Sequence, residues 1–210
     1  MINIGVIGYG YWGPNLVRNF AELGGATVAG VADQDTKKLE LVQRRYPGLK
    51  TFNNFQNLLE DSSIDAVAIA TPVSTHFELG MAALRAGKHV WLEKPMTEAS
   101  LQARKLIEEA ERLERVLFVD HTFIYTGAVR KMGEVIRGDE LGRVYYYDST
   151  RVNLGLFQRD VNVISDLAVH DFSILDYLLG EHPVAVSASG INHFPGTPEN
   201  LAYITLFYDS

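Results

Sequence analysis

MINIGVIGYGYWGPNLVRNFAELGGATVAGVAD, residues 1–33, decides the fold class of this chain. Ile2, Ile4, Val6 and Ile7 make an apolar strand that runs straight into Gly8, Gly10 and Gly13. An amphipathic segment follows, and the apolar run 28–32 ends at Asp33. Strand, glycine turn, helix and a second strand closed by a carboxylate about twenty residues on make up the dinucleotide-binding fingerprint; this context separates it from a chance GxGxxG. Gly8 suits the tight turn out of the strand, where a side chain is strained. Gly10 lets the backbone approach a pyrophosphate, and Gly13 lets the helix pack on the sheet. That helix aims its N–H groups and positive dipole end at the phosphates, and Pro14 fits its first turn. Asp33 stands where a carboxylate accepts hydrogen bonds from the adenosine ribose hydroxyls. A 2′-phosphate there meets a like charge, at a cost of up to ~4 kcal/mol at ~4 Å and an effective dielectric near ~20. Gln34 and Asp35 bring no adjacent cation, so NAD is expected over NADP. A glycine-rich turn in some other α/β protein is the competing reading, against which strand, helix and distal Asp together weigh.

The chain has 210 residues, enough for one large domain or two modest ones. Hydrophobic residues make up 47 %, which supports a sizeable core. A net charge of −7 argues against nucleic acid or an anionic membrane as the main partner. Cysteine is absent, which removes a disulfide framework and thiolate metal sites and fits a reducing cytoplasm, the expected location. Met1 leads directly into a strand, leaving no room for a signal peptide, and no apolar run reaches membrane-spanning length. The six histidines are scattered, without zinc-ligand spacing, so no metal is expected.

Helices are expected at 35–46, 55–60, 74–86 and 97–115, the last with Leu101, Ile107, Ala110 and Leu113 inward. Strands alternate with them at 49–52, 66–70, 89–92 and 116–119. With the first two, this makes six strands joined by crossover helices, a doubly wound parallel Rossmann sheet over residues 1–120. The pattern then changes. Residues 121–210 read as a helix at 124–137 with Val129, Met132 and Ile136 on one face, a tyrosine-rich strand at 144–152 and a loop at 153–160. A helix at 162–179 and strands at 184–193 and 201–208 follow. Long strands without crossover helices predict an α+β domain with a mostly antiparallel open sheet.

Two further clusters bear chemistry: Glu93-Lys94-Pro95 right after the fifth strand, and Asp166 through His170 and Asp171 on the helix 162–179. Lys94 lies at a strand's carboxyl end, where open α/β sheets place their ligands. Asp166 and His170, four apart on an α-helix, share one face. Taken singly, an exposed lysine and a surface Asp/His pair are the ordinary readings. Together with GYGYWG, however, these clusters closely resemble the Gfo/Idh/MocA family of NAD(P)-dependent oxidoreductases, over essentially the whole chain. Within it, GYGYWGPN and the RVNLG, DVNV and DLAVHD segments look most like members acting on sugar nucleotides.

The resemblance implies oxidation of a secondary ring hydroxyl of a sugar or sugar nucleotide to a ketone, or the reverse. Catalytic roles fall to Lys94, beside the nicotinamide ribose and the reacting hydroxyl, to His170 as the base and to Asp166 as its orienting partner. The bond from Lys94 to Pro95 is expected to be cis. Cofactor contacts are expected from Gly8, Gly10, Tyr11, Trp12, Gly13, Asp33, Thr71, Pro72, His76, Glu93 and Lys94. Substrate contacts are expected from Lys94, Arg151, Asn153, Arg159, Asp166 and His170, with Gln158, His121 and Tyr125 as lesser candidates. Asp171 is read as structural, and Tyr145 to Tyr147 as strand packing. Family members continue well beyond this length, so the second domain reads as truncated. Its last strand calls for cover by another chain, which points to a homo-oligomer through that sheet. The rival reading is a non-catalytic NAD-binding protein whose second domain is an interaction or regulatory surface.

Overall fold

In β1 (Ile2–Ile7) successive side chains leave on opposite faces, and both faces are apolar, which is the pattern of a parallel strand covered on both sides. The computed structural model, which describes residues 1–138, 140–153 and 161–209, places β1 inside such a sheet. The chain divides into two units, Met1–Asp120 and His121–Ser210.

The first unit carries β1, β2 (Ala26–Ala32), β3 (Lys50–Phe52), β4 (Ala66–Ile69), β5 (His89–Leu92) and β6 (Leu117–Val119). All are parallel, in the order β3-β2-β1-β4-β5-β6. This is the Rossmann order, whose switch point lies between β1 and β4. Five helices fill the crossovers: α1 (Gly13–Glu22), α2 (Thr36–Arg45), α3 (Phe55–Glu60), α4 (His76–Arg85) and α5 (Ser100–Arg112). On one face Ile4, Val6, Val28, Val31 and Ala68 pack against Leu16 and Val17 of α1 and Val42 of α2. On the other, Ile7, Val67, Ile69, Val90 and Leu92 meet Leu58, Leu79, Leu84, Leu106 and Ala110 of α3, α4 and α5. Each of these large side chains contributes ~1.5–3 kcal/mol by leaving water.

Local signals start and stop the helices. Asp35 caps α2 by accepting from the Lys37 N–H, and Arg44 and Arg45 complement its C-terminal dipole end. Helix α5 is shorter than expected and rotated: Leu106, Ala110 and Leu113 face the core, while Leu101 (63 % exposed) and Ile107 (45 %) face water. An i, i+4, i+7 stripe through Leu106 excludes both, since each lies well round the helix from it.

In the second unit a 3₁₀ turn (Thr122–Tyr125) precedes α6 (Gly127–Arg137). The expected single helix breaks at extended Thr126, whose hydroxyl bonds back to the Phe123 carbonyl and competes with helical bonding. Val129 of α6 packs against Ile174 and Leu178 of α7 (Val169–Leu179), while Met132, expected on that face, is exposed. Gly180, at φ +64°, closes α7 in the left-handed conformation. The segment 144–152, expected as a strand, belongs to no ladder among the described residues. Alternating pattern supplies a face, but a strand also needs a neighbour for its backbone groups. The antiparallel part consists of β7 (Ala185–Ile191) and β8 (Leu201–Phe207), paired from Ala185↔Phe207 to Ile191↔Leu201. Among the described residues no helix is long and apolar enough to cross a membrane, and no three His, Cys, Asp or Glu side chains converge as a metal site.

Candidate functional site

Ladder hydrogen bonds extend one residue past each strand and so fix the crest of the sheet. Gly8 N–H donates to Ala32 O, Ala70 N–H to Ile7 O, Glu93 N–H to Ile69 O and Asp120 N–H to Leu92 O, at 2.8–3.0 Å. The expected cofactor residues of the first unit thereby come to one edge, at the carboxyl ends of the strands. Gly8 has φ +95°, and a Cβ there would lie 2.7 Å from the Ala70 carbonyl oxygen. At Gly13 a Cβ would collide with the Gly8 carbonyl. Gly10 differs: among the described residues, its chain neighbours aside, nothing lies within 4 Å of its added Cβ. The first two glycines are therefore required by the fold itself, and the third leaves a space open. Beside it, the N-terminus of α1 has Pro14 in its first turn, no side-chain cap and no acidic residue. Open backbone space, uncapped N–H groups and a nearby carboxylate fit a dinucleotide pyrophosphate and ribose. Tyr11 and Trp12 stand exposed next to it, edge to face at 5.3 Å.

Asp33 is held firmly. Its Oδ2 accepts from the Tyr9 N–H at 2.7 Å and from Lys38 Nζ at 3.4 Å, and its Oδ1 accepts from the Asp35 N–H at 2.9 Å. Lys38 adds to the cofactor argument: a cation stands beside the Asp33 carboxylate, contributed by the first turn of α2 rather than by the residues adjoining Asp33. The signal was legible, since a residue five on from Asp33 falls on the helix that begins there.

On the other side of the switch point, Thr71 and Pro72 follow β4. The Thr71 hydroxyl shares a 2.7 Å hydrogen bond with that of Thr75, which lies 2.7 Å from Pro72 O as well. Lys94 is half-buried and its bond to Pro95 is cis, as the resemblance implies. Glu93 is 8 % exposed; burial, and secondly the Asp120 carboxylate, push it up from its ordinary 4.5 to about 7. His76 departs from expectation. It is 1 % exposed, with Nδ1 3.0 Å from Pro95 O and Nε2 2.9 Å from Thr71 O. Its ring nitrogens face backbone carbonyls, so they are not turned to a cofactor.

The Glu93 shift has a measurable consequence. Between pH ~4.5 and 7 the folded protein keeps a proton that the unfolded chain has lost, so stability falls as pH rises through that window and levels off above it. Glu93→Gln removes this dependence. Its stability relative to wild type is expected to climb by roughly 3 kcal/mol from pH 4.5 to 8, at about 1.4 per pKa unit. Thermal melts of both proteins across that range check it, and a pH-independent difference refutes it.

In the second unit, the helix bearing Asp166 and His170 opens as a π-helical turn, Ile164–Ala168, before continuing as α7. The pair straddles this junction, so the α-helical spacing from which its shared face was expected does not apply. Such widened turns concentrate at functional sites. The His170 ring lies edge to face with Phe123 at 4.7 Å. The Arg151 guanidinium covers the same Phe123 ring at 4.4 Å and bonds Asp171 at 2.8 and 3.3 Å; Ser149 also donates to Asp171 at 2.7 Å. Burial pushes the Asp171 carboxyl up, but the hydrogen bonds from Arg151 and Ser149 prevail and hold it low. Arg151, expected to bind substrate, thus has donors committed to Asp171. Asn153 is exposed, and Arg159 and Gln158, with the rest of the loop from 154 to 160, lie outside the described residues. Phe123 and Ser149 carried no sequence signal, since aromatic and hydroxyl residues in a loop have no fixed spacing to a helix later in the chain.

Residues 2–121 match the family profile described as GFO_IDH_MocA: Oxidoreductase family, NAD-binding Rossmann fold. The chain belongs to the Gfo/Idh/MocA family. Among relatives it is 26 % identical to myo-inositol 2-dehydrogenase of Thermotoga maritima, over 90 % of this chain and 58 % of that protein. It is 32 % identical to UDP-N-acetylglucosamine 3-dehydrogenase of Acidithiobacillus ferrooxidans, over 89 % of this chain and 57 % of that one. Of solved structures, an NAD-binding protein from Listeria innocua superposes with a TM-score of 0.82 at 26 % identity, covering 98 % of this chain and 63 % of that one. The chain thus spans less than two thirds of the length of these Gfo/Idh/MocA relatives.

Proposed function

We propose that this protein binds NAD and interconverts a secondary ring hydroxyl of a sugar, cyclitol or sugar nucleotide with the corresponding ketone. The observation that carries the reading is the crest of the parallel sheet, where an open Gly10, the uncapped α1 N-terminus, Asp33 and Lys94 stand together on one edge. The names of the relatives support the substrate class. Nicotinamide, when bound, supplies the hydride acceptor or donor. The chain's own residues do the rest. Gly8, Gly10 and Gly13 shape the turn against the pyrophosphate, and Asp33 takes the adenosine ribose. Lys94 meets the reacting hydroxyl as a positive charge that eases its deprotonation. In the second unit His170 is the proposed base, and Asp166 its orienting partner. The reading includes a cytoplasmic enzyme that self-associates through the β7–β8 sheet.

Calorimetry with NAD and NADP, followed by absorbance at 340 nm over a panel of inositols and UDP- and dTDP-sugars, tests the proposal. Uptake of NAD and reduction with at least one polyol are expected; uptake of neither dinucleotide overturns it. Asp33 and Lys38 set the ratio between the two. Asp33→Ala is expected to weaken NAD by about tenfold or more, the scale of one or two charge-assisted hydrogen bonds, and NADP less. Lys38→Ala should leave NAD nearly unchanged and weaken NADP further. Dissociation constants for the four combinations decide this, and equal losses for both dinucleotides contradict it.

A further inference from the structure

We propose that His76 is a positioning residue: its ring, wedged between the carbonyls of Thr71 and Pro95, ties together the two crest loops that follow β4 and β5 and thereby holds Lys94 in place. The inference rests on the proposed function for its catalytic meaning, but its physical content stands on the geometry alone. Thr71 lies two residues beyond β4, and Pro95 three residues beyond β5. Each loop leaves the sheet at its crest, past the last ladder bond (Ala70 N–H to Ile7 O, and Glu93 N–H to Ile69 O), so beyond those bonds the sheet no longer determines the path of either. His76, the first residue of α4, reaches both loops, with contacts of 2.9 and 3.0 Å from its two ring nitrogens.

Three features mark this as a tie rather than as filling. The ring is 1 % exposed, and a polar group buried to that degree is costly unless hydrogen-bonded. Both partners are backbone carbonyls, which only accept, so the neutral ring hydrogen-bonds one of them and packs its other edge on the second, while the imidazolium donates to both. Burial disfavours that charged form and the two carbonyls favour it. Finally, the peptide held at Pro95 adjoins Lys94, whose charge must sit within a hydrogen bond's reach of the reacting oxygen. A misplacement of ~1 Å at a reacting centre costs about 10²-fold in rate.

Two variants and two measurements separate the possibilities. His76→Leu fills the space without donors, and His76→Gln retains an amide N–H for one carbonyl. Hydrogen exchange of peptides spanning 70–76 and 93–99 reads the loops directly, whether or not any sugar is turned over. His76→Leu is expected to speed exchange in both segments at least tenfold, with exchange in β1 and β2 unchanged, and His76→Gln to restore part of the protection. In turnover, His76→Leu should lower kcat about 10- to 100-fold with NAD affinity within threefold, and His76→Gln should recover most of it. Unchanged exchange in the two segments overturns the proposal. So does loss of folding in both variants, because His76 is then an ordinary core residue. If wild type reduces no nicotinamide with any polyol, the proposed function fails while the exchange result still decides the tie.

Discussion

Replacing Lys94 by alanine is expected to lower hydride transfer by about 10²- to 10⁴-fold, the range of a positioned acid–base or electrostatic group, while NAD affinity changes by only a few fold. Lys94 lies two residues past β5 on the crest and is half-buried. In the proposed reaction its charge favours the negative charge that builds on the oxygen as the hydroxyl proton is removed and before hydride leaves to give the ketone, more than it favours the neutral alcohol. Removing it therefore acts on kcat and on kcat/KM together, the signature of an interaction gained in the transition state. His170→Ala is expected to give a loss of the same order. Stopped-flow reduction at 340 nm with calorimetric NAD titration measures both quantities. A Lys94→Ala protein that turns over normally would remove Lys94 from the mechanism, and one that loses NAD altogether would make it a cofactor ligand.

The glycine turn yields the second large effect, and it separates ligand space from fold space. Gly10→Ala is expected to fold with an unchanged melting temperature, because among the described residues, its chain neighbours aside, nothing lies within 4 Å of the new methyl. Its NAD affinity should nevertheless fall by about 100-fold, or ~2.7 kcal/mol, because the methyl occupies the space assigned to the pyrophosphate. Gly8→Ala is expected to fail differently. Its φ of +95° strains any L side chain, and the Cβ would press on the Ala70 carbonyl and the Thr71 methyl at 2.7 and 2.8 Å. Left-handed strain of ~1–3 kcal/mol and overpacking of similar size add to a loss of ~2–6 kcal/mol of stability. Melting curves and NAD titrations on the two proteins test the contrast. Tight NAD binding by Gly10→Ala would sink the assignment of the pyrophosphate to this turn.

Most of the first unit was legible because its signals are local. The run from Ile2 to Asp33 carries strand, turn, helix and strand within one stretch, and the structure realises each as β1, the Gly8 turn, α1 and β2. The misreadings share one cause. Leu101 and Ile107 were assigned inward on apolar character, but the rotation of α5 is set by Leu106 against Gly80 of α4 and the sheet, a contact across the fold. Residues 144–152 have a strand's alternation without a ladder among the described residues, since pairing depends on what lies alongside. His76 was readable as a histidine near the expected cofactor site, but its partners are backbone carbonyls on two other segments, which no spacing rule reveals.

Sequence alone determined the parallel sheet, its glycine turn, the acidic residue that closes β2 and the identity of the chemistry-bearing side chains, because periodicity and glycine positions act over a few residues. Tertiary structure alone decided what those side chains touch. It placed Lys38 against Asp33, wedged His76 between Thr71 and Pro95, committed Arg151 to Asp171, and buried Glu93 beside Asp120, which pushes its carboxyl up to about 7. Hydrogen bonds and pKa values depend on distance in space and on exclusion of water, and both exist only once the chain has folded.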